Sequence, residues 1–333
     1  MAHKASKFPL IPASFFGIVL GLVGLGGSWR AAHEVWGLPS LVGEAVMLAG
    51  GIVWAVLVVL FAAKWLTARE EAVAEARHPV QCCFIGLAGV ATMLVAIAVQ
   101  PYAALVAIMF FMLGGAFTLG FALWRTGVLW QGGRDPTATT PVLYLPTVAG
   151  SYVVAMSCAA LGFPEWGRLA FGAGVLSWLA IESVLVHRLY TLVEMPAAMR
   201  PTLGIQLAPP TVGAAAYVSV TSGPPDTLIL AMIGYGIFQI LLLVRLSRWI
   251  FAAGFAASAW SFSFGLTALS TALVKLADRG AMDPITALAP VVFVLVSAVL
   301  AALVLRTLWL VIRGRILPAT AGTVAVSAPS TPA

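Results

Sequence analysis

Two carboxylates, Glu44 and Glu182, fall inside long apolar runs, where an acid usually marks a proton relay or a cation path. No other acid in the chain is so placed. Proton coupling through this pair is one reading; bonding to a neighbouring helix, or contact between protomers, is the other and is preferred, since both stand on segments that the pattern below assigns to the outside. The remaining reactive groups form no catalytic pattern. Cys82, Cys83 and Cys158 lie in apolar runs without C-x-x-C or Cys/His spacing, which predicts inert buried thiols and neither a disulfide framework nor a metal site. H-E-x-x-H and G-x-S-x-G are missing, and no histidine enters the core of a run. A membrane enzyme needs a nucleophile with its base, a metal cluster or a carboxylate pair, so the sequence predicts no enzyme and no cofactor.

A different pattern is W-S-F-S-F-G, residues 260 to 265, inside the uncharged run from Gly254 to Val274. Two residues apart on a helix means about 200° of rotation, so Phe262 and Phe264 face different ways. Within about 60° of Phe264 lie Ala257, Trp260, Ser261, Thr267, Ala268 and Thr271, a small and hydroxyl-bearing side. Phe262 shares its face with Phe255, Leu266, Leu269 and Leu273, which suits packing. Phe264 is ten residues from either end of the run, close to the middle of a span, where its ring would close a narrow path. Ser261, Thr267, Ala268 and Thr271 would then line that path.

These residues must be held by membrane helices. Apolar residues make up 61% of the chain, charged residues 9%, and mean hydropathy is +1.02, values that exclude a soluble domain. The apolar residues come in runs of about twenty, as in spanning helices rather than barrel strands. Ten spans are predicted, at 12 to 29, 41 to 63, 82 to 100, 102 to 124, 142 to 162, 166 to 187, 203 to 221, 226 to 244, 254 to 274 and 285 to 305. They form one domain, residues 1 to 313, followed by an expected disordered cytoplasmic tail from 314 to 333, rich in Ala, Thr, Ser and Pro. Of the 18 lysines and arginines, 14 fall in the loop set that includes both termini and 4 in the other, which predicts cytoplasmic termini. The net charge of +6 is thereby explained as a topology signal at the lipid surface, with no nucleic-acid partner.

Odd and even spans differ. Odd spans enter through proline in P-L-I-P (9 to 12), H-P-V (78 to 80), P-V-L-Y-L-P (141 to 146) and R-P-T-L-G-I-Q-L-A-P-P (200 to 210), the ninth excepted, and carry no charged residue. Even spans end in a basic residue beside an aromatic, as in FAAKWL, FALWRT, LVHRLY, LVRLSRW and LVLRTLW. Broken backbone at membrane depth is tolerated against protein or a water-filled path. The pattern predicts five helical hairpins with the odd helices inside, and it puts Pro12, Gly17, Pro146, Gly150, Pro209 and Gly213 in the backbone of that interior. The simpler alternative is that proline is common in membrane helices. Residues 67 to 78, of mixed charge, are expected to be a solvated helical extension.

The chain resembles the tellurite-resistance/dicarboxylate transporter family, in its bacterial TehA branch, related to plant guard-cell slow anion channels and fungal malate transporters. The resemblance runs from Phe8 to Ile312. It is carried by F-P-L-I-P-A-S-F-F-G (8 to 17), H-P-V (78 to 80), L-W-Q-G-G (129 to 133), Y-L-P (144 to 146), F-G-A-G (171 to 174), L-A-P (207 to 209), Y-G-I-F-Q (235 to 239) and W-S-F-S-F-G (260 to 265). It implies ten helices in five hairpins, odd helices lining a central pore, and a homotrimer in the inner membrane with one pore per protomer. It also implies a phenylalanine plug at the position of Phe264, and passage of small anions such as chloride and nitrate, or transport of C4-dicarboxylates or tellurite. Anion conduction ranks above tellurite transport, because no thiol site for a reactive oxyanion is visible. The chain departs from the family pattern by an extra residue between Phe8 and Gly17 and by the pair Pro209-Pro210, both at the cytoplasmic mouth.

Overall fold

The computed structural model describes residues 9–280 and 283–316; the expected tail beyond 316, with Lys4 and Lys7, lies outside them. The described residues contain helices and no strand. Ten helices are long and apolar enough to span a bilayer. They are Ala13–Trp36, Ser40–Thr67, Gln81–Val99, Ala104–Trp130, Pro141–Ala160, Pro164–Thr191, Arg200–Val220, Thr227–Arg245, Ala257–Asp278 and Asp283–Ile312. The chain is a multi-pass membrane protein.

Burial separates the spans into two layers. In the most apolar stretch of each odd span 67% to 83% of residues are buried within the protein, against 17% to 33% in the even spans. With no hydrophobic drive between helices in lipid, the inner layer is held by close packing at small residues. Gly21 shows why, since a methyl group there would lie 2.4 Å from the Ser263 hydroxyl oxygen of the ninth span. Each odd span packs along the even span that follows it, and the odd spans touch in sequence, first to third, third to fifth, fifth to seventh, seventh to ninth. The ninth closes on the first, so five unlike helices make a ring around one axis.

Every odd span opens with a departure from α-helix: 3-10 turns at Ala13–Phe15, Gln81–Gly86, Pro141–Leu143, Arg200–Leu207 and Ala257–Phe262, and a π-helical stretch at Leu145–Ala149. Proline is compatible with these openings because the first turn has no intrahelical partner for its missing N–H. The ninth span opens the same way without one, so the shared trait is the 3-10 turn itself. Proline is also not confined to odd spans, since Pro290 lies inside the tenth helix.

Four span ends differ from the sequence expectation for one reason. A charge-free run stops at the first ionic side chain, but the helices continue past it. Even spans run on because Lys64 and Arg125 are buried and capped: Lys64 donates to the Ile11 carbonyl at 2.7 Å and pairs with Glu75 at 2.5 Å, and Arg125 donates to the Pro79 carbonyl at 3.1 Å. Glu75 also accepts from the Ala13 backbone N–H at 2.8 Å, so the Arg69–Arg77 helix docks under the first span rather than standing in solvent throughout. Odd spans likewise run on through Arg30 to Trp36 and through Lys275 to Asp278, correcting the expectation that they are free of charge.

Candidate ion path

The ring encloses two cavities. The near one, on the side where the odd spans begin, is about 150 Å³ and is lined by uncharged residues, among them Ser14, Gly17, Gln81, Thr202 and Ser261. The far one is about 340 Å³ and includes Arg30, Glu34, Lys275 and Arg279 in its wall. All five odd spans contribute to both, and in each the near-cavity residues precede the far-cavity residues along the chain. One residue belongs to both walls, Phe264.

The local helix type sets that position. Across Ala257–Phe262 the chain is 3-10, at about three residues per turn, so Ser258, Ser261 and Phe264 fall in line and face the near cavity. From Ser263 the helix is α, and Phe264, Ala268 and Thr271 continue the line into the far cavity. Phe264 is 8% exposed, and the ring lies against Gly24 of the first span. Phe264 is nearer the start of Ala257–Asp278 than its end, and although the 3-10 turns rise about 2.0 Å per residue against about 1.5 Å in the α-helix, the ring stands a few ångströms to the near side of the helix midpoint. Its neighbours are fixed: the Trp260 indole N–H donates to the Thr307 hydroxyl at 2.9 Å, and the Ser261 hydroxyl to the Pro201 carbonyl at 2.5 Å. Phe262 turns away to stack with Phe251 at 5.7 Å, against Gly204 of the seventh span.

Other residues singled out in the sequence are distributed differently. Thr267 is fully buried against Gly24, and its hydroxyl donates to the Ser263 carbonyl at 3.0 Å, so it packs beside the line rather than on a cavity wall. Gly17 opens onto the near cavity. Pro12 caps the first 3-10 turn in extended conformation. Gly150 faces Thr118 of the fourth span, where a methyl group would meet Cγ2 at 2.5 Å, and Pro146 lines the same external groove. Gly213 receives Met232 and Tyr152, and Pro209 borders a small void beside those tyrosines of the fifth span, Tyr144 and Tyr152.

Both acids are engaged away from the line of the cavities. Glu44 takes two hydrogen bonds from Arg30, each 2.7 Å, and one from the Tyr102 hydroxyl at 2.6 Å, joining the first two spans to the loop after the third. Hydrogen bonding to that carboxylate pushes Tyr102 above its ordinary range. Glu182 reaches inward from the sixth span. Its Oε1 accepts from Gln206 at 2.9 Å and Tyr235 at 2.6 Å, and its Oε2 from Trp178 at 2.9 Å and from the Tyr144 hydroxyl. Four donors from the fifth to eighth spans meet there, so both oxygens are saturated. Gln206, which completes the node, has no sequence signature, and Arg30, Glu34, Lys275 and Arg279 were hidden because the charge-free runs end beside them. Burial holds the Arg279 guanidinium below its usual range.

Comparison with known proteins fits this arrangement. The family model described as voltage-dependent anion channel, SLAC1, matches residues 11–308. The chain belongs to the SLAC1 family. Within the SLAC1 family it is 33% identical, over 309 residues, to the tellurite resistance protein TehA homolog of Haemophilus influenzae, covering 92% of this chain and 93% of that protein. It is 24% identical over 319 residues to the guard cell S-type anion channel SLAC1 of Arabidopsis thaliana, covering 92% of this chain and 57% of the plant protein. SLAC1 relatives are thus matched through all ten spans, and the family is one of channels and transporters rather than enzymes.

Proposed function

We propose that this chain is a channel for small monovalent anions such as chloride and nitrate, closed in the conformation described by the Phe264 ring. The observation that carries it is the position of Phe264 as the one residue shared by the two axial cavities. An aromatic side chain can swing between rotamers without disturbing a helix, so a single torsion would join the cavities. The near cavity is neutral and mostly apolar, with Ser14, Thr202, Ser258 and Ser261 in its wall, which suits an ion that must pass without being trapped. Ser261, Ala268 and Thr271 would line the open path on the ninth span, with Gly17 on the first. Cytoplasmic termini are supported by the 14 to 4 division of basic residues, and the resemblance supports an inner-membrane homotrimer with one path per protomer.

A proton-coupled carrier of dicarboxylates or tellurite would need an acid that meets its substrate. Glu182 is saturated by four protein donors and Glu44 is held by Arg30 and Tyr102, and neither lines the two axial cavities, which supports the channel over the carrier. Substitution Phe264→Ala, with currents recorded in planar bilayers, tests the proposal. The expected result is a large rise in chloride and nitrate conductance that is ohmic and insensitive to Glu44→Gln or Glu182→Gln. Unchanged conductance in a folded protein would remove Phe264 from the role of gate.

A further inference from the structure

On the ninth span Phe264, Ala268, Thr271, Lys275 and Arg279 follow one another at helical spacing and form a single stripe from the constriction to the far mouth. At about 1.5 Å per residue, Lys275 stands roughly 16 Å beyond Phe264 along the helix. The three cations of this cavity are differently employed. Arg30 spends its guanidinium on Glu44 and on the Ala98 carbonyl, the latter at 3.0 Å. Arg279 donates to the Val218 carbonyl at 2.7 Å. Lys275 has neither a hydrogen bond nor an ion pair with any described residue, although it lines the cavity. Glu34, the one carboxylate in the described wall, shares the same space and forms no ion pair with Lys275 among the described residues.

An ammonium with no partner in the protein, sharing a wall with two further cations and one carboxylate, favours a counter-ion in that space. The cavity, about 340 Å³, has room for a small anion with part of its water shell, each water taking about 30 Å³. Ammonium is a compact, strongly hydrated point charge, so it holds an ion loosely and lets it leave. We propose that Lys275 is the anion-binding residue of the far cavity. It holds one small inorganic anion, with the Arg279 charge behind it and Glu34 as its competitor. Lys275 thereby sets how often the far side of the constriction is occupied, and Glu34 lowers that occupancy. This rests on the conduction reading above.

The test uses the full-length Phe264→Ala chain in bilayers, with chloride currents measured from about 0.01 M, where charges act over about 30 Å, to about 1 M, where they act over about 3 Å. Lys275→Gln is expected to lower conductance several-fold at the low end, to raise the half-saturating chloride concentration, and to converge on the parent at the high end. Lys275→Arg, which keeps the charge, should keep low-salt conductance well above that of Lys275→Gln, and Glu34→Gln should raise low-salt conductance. Superimposable curves for the parent and Lys275→Gln would overturn the proposal. Should Lys275→Gln fail to fold, an unchanged low-salt conductance in Glu34→Gln overturns it equally. A Phe264→Ala parent that passes no anion current would instead bring down the conduction reading, and this proposal with it.

Discussion

Gly24 faces Phe264 and Thr267 at once: a methyl group on Gly24 would lie 3.5 Å from the Phe264 ring carbon Cδ2 and 2.3 Å from the Thr267 hydroxyl oxygen. First and ninth spans close the ring at this contact, so the space beside the constriction is set by a residue with no side chain.

Gly24→Ala should therefore overpack the seam, lowering stability by about 1–3 kcal/mol. The thermal midpoint of the purified protein measures it. Adding Thr267→Ala should restore part of the loss, because the hydroxyl is the nearest obstacle, and the pair should be non-additive. Additive effects would mean that the two residues do not share this contact.

Glu182 is expected to act as a fastener rather than a proton relay. Glu182→Ala strands the Gln206, Tyr144, Tyr235 and Trp178 donors, and a loss of roughly 2–4 kcal/mol is expected, the scale of two or so stranded buried donors. Anion flux per folded protein should keep its pH profile. A variant of undiminished stability whose flux loses its dependence on pH would make Glu182 a coupling residue.

Asp226 gives a pH signature. It caps the eighth span, accepting from the Ile229 N–H at 3.1 Å, and the Tyr217 hydroxyl, then the backbone, holds its carboxyl below the usual range. A depressed folded value means that the stabilisation is fully present above about pH 4, where the unfolded carboxyl titrates, and is lost as pH falls through the lower folded value. Asp226→Ala should cost about 1 kcal/mol at neutral pH and less in acid. Asp226→Asn should keep most of the cap while removing its pH dependence, as thermal unfolding at neutral and acidic pH would show.

Much of the architecture was legible in the sequence because lipid makes the rules simple: ten apolar runs gave ten spans, and the odd and even layers followed from where proline, glycine and charge fall. Phe264 was separable from Phe262 because helical rotation alone parts residues two apart. The far cavity was not legible. Two of its three cations, Arg30 and Lys275, stand one residue past the charge-free runs that defined the first and ninth spans, and a rule that stops at charge discards them. Tyr144, Trp178, Gln206 and Tyr235 come from four different spans, so no local pattern in the chain could have gathered them around Glu182. The 3-10 opening of the ninth span was equally silent, having no proline to announce it.

The closed ring of unlike helices carries a further consequence. Pores assembled from identical subunits repeat every wall residue around the axis, so a mutation there is multiplied by the symmetry. Here each wall belongs to a different stretch of one gene. Each position on the axis can accordingly mutate singly, so under the proposed conduction reading bore, charge and blockage would be separate variables for selection to adjust.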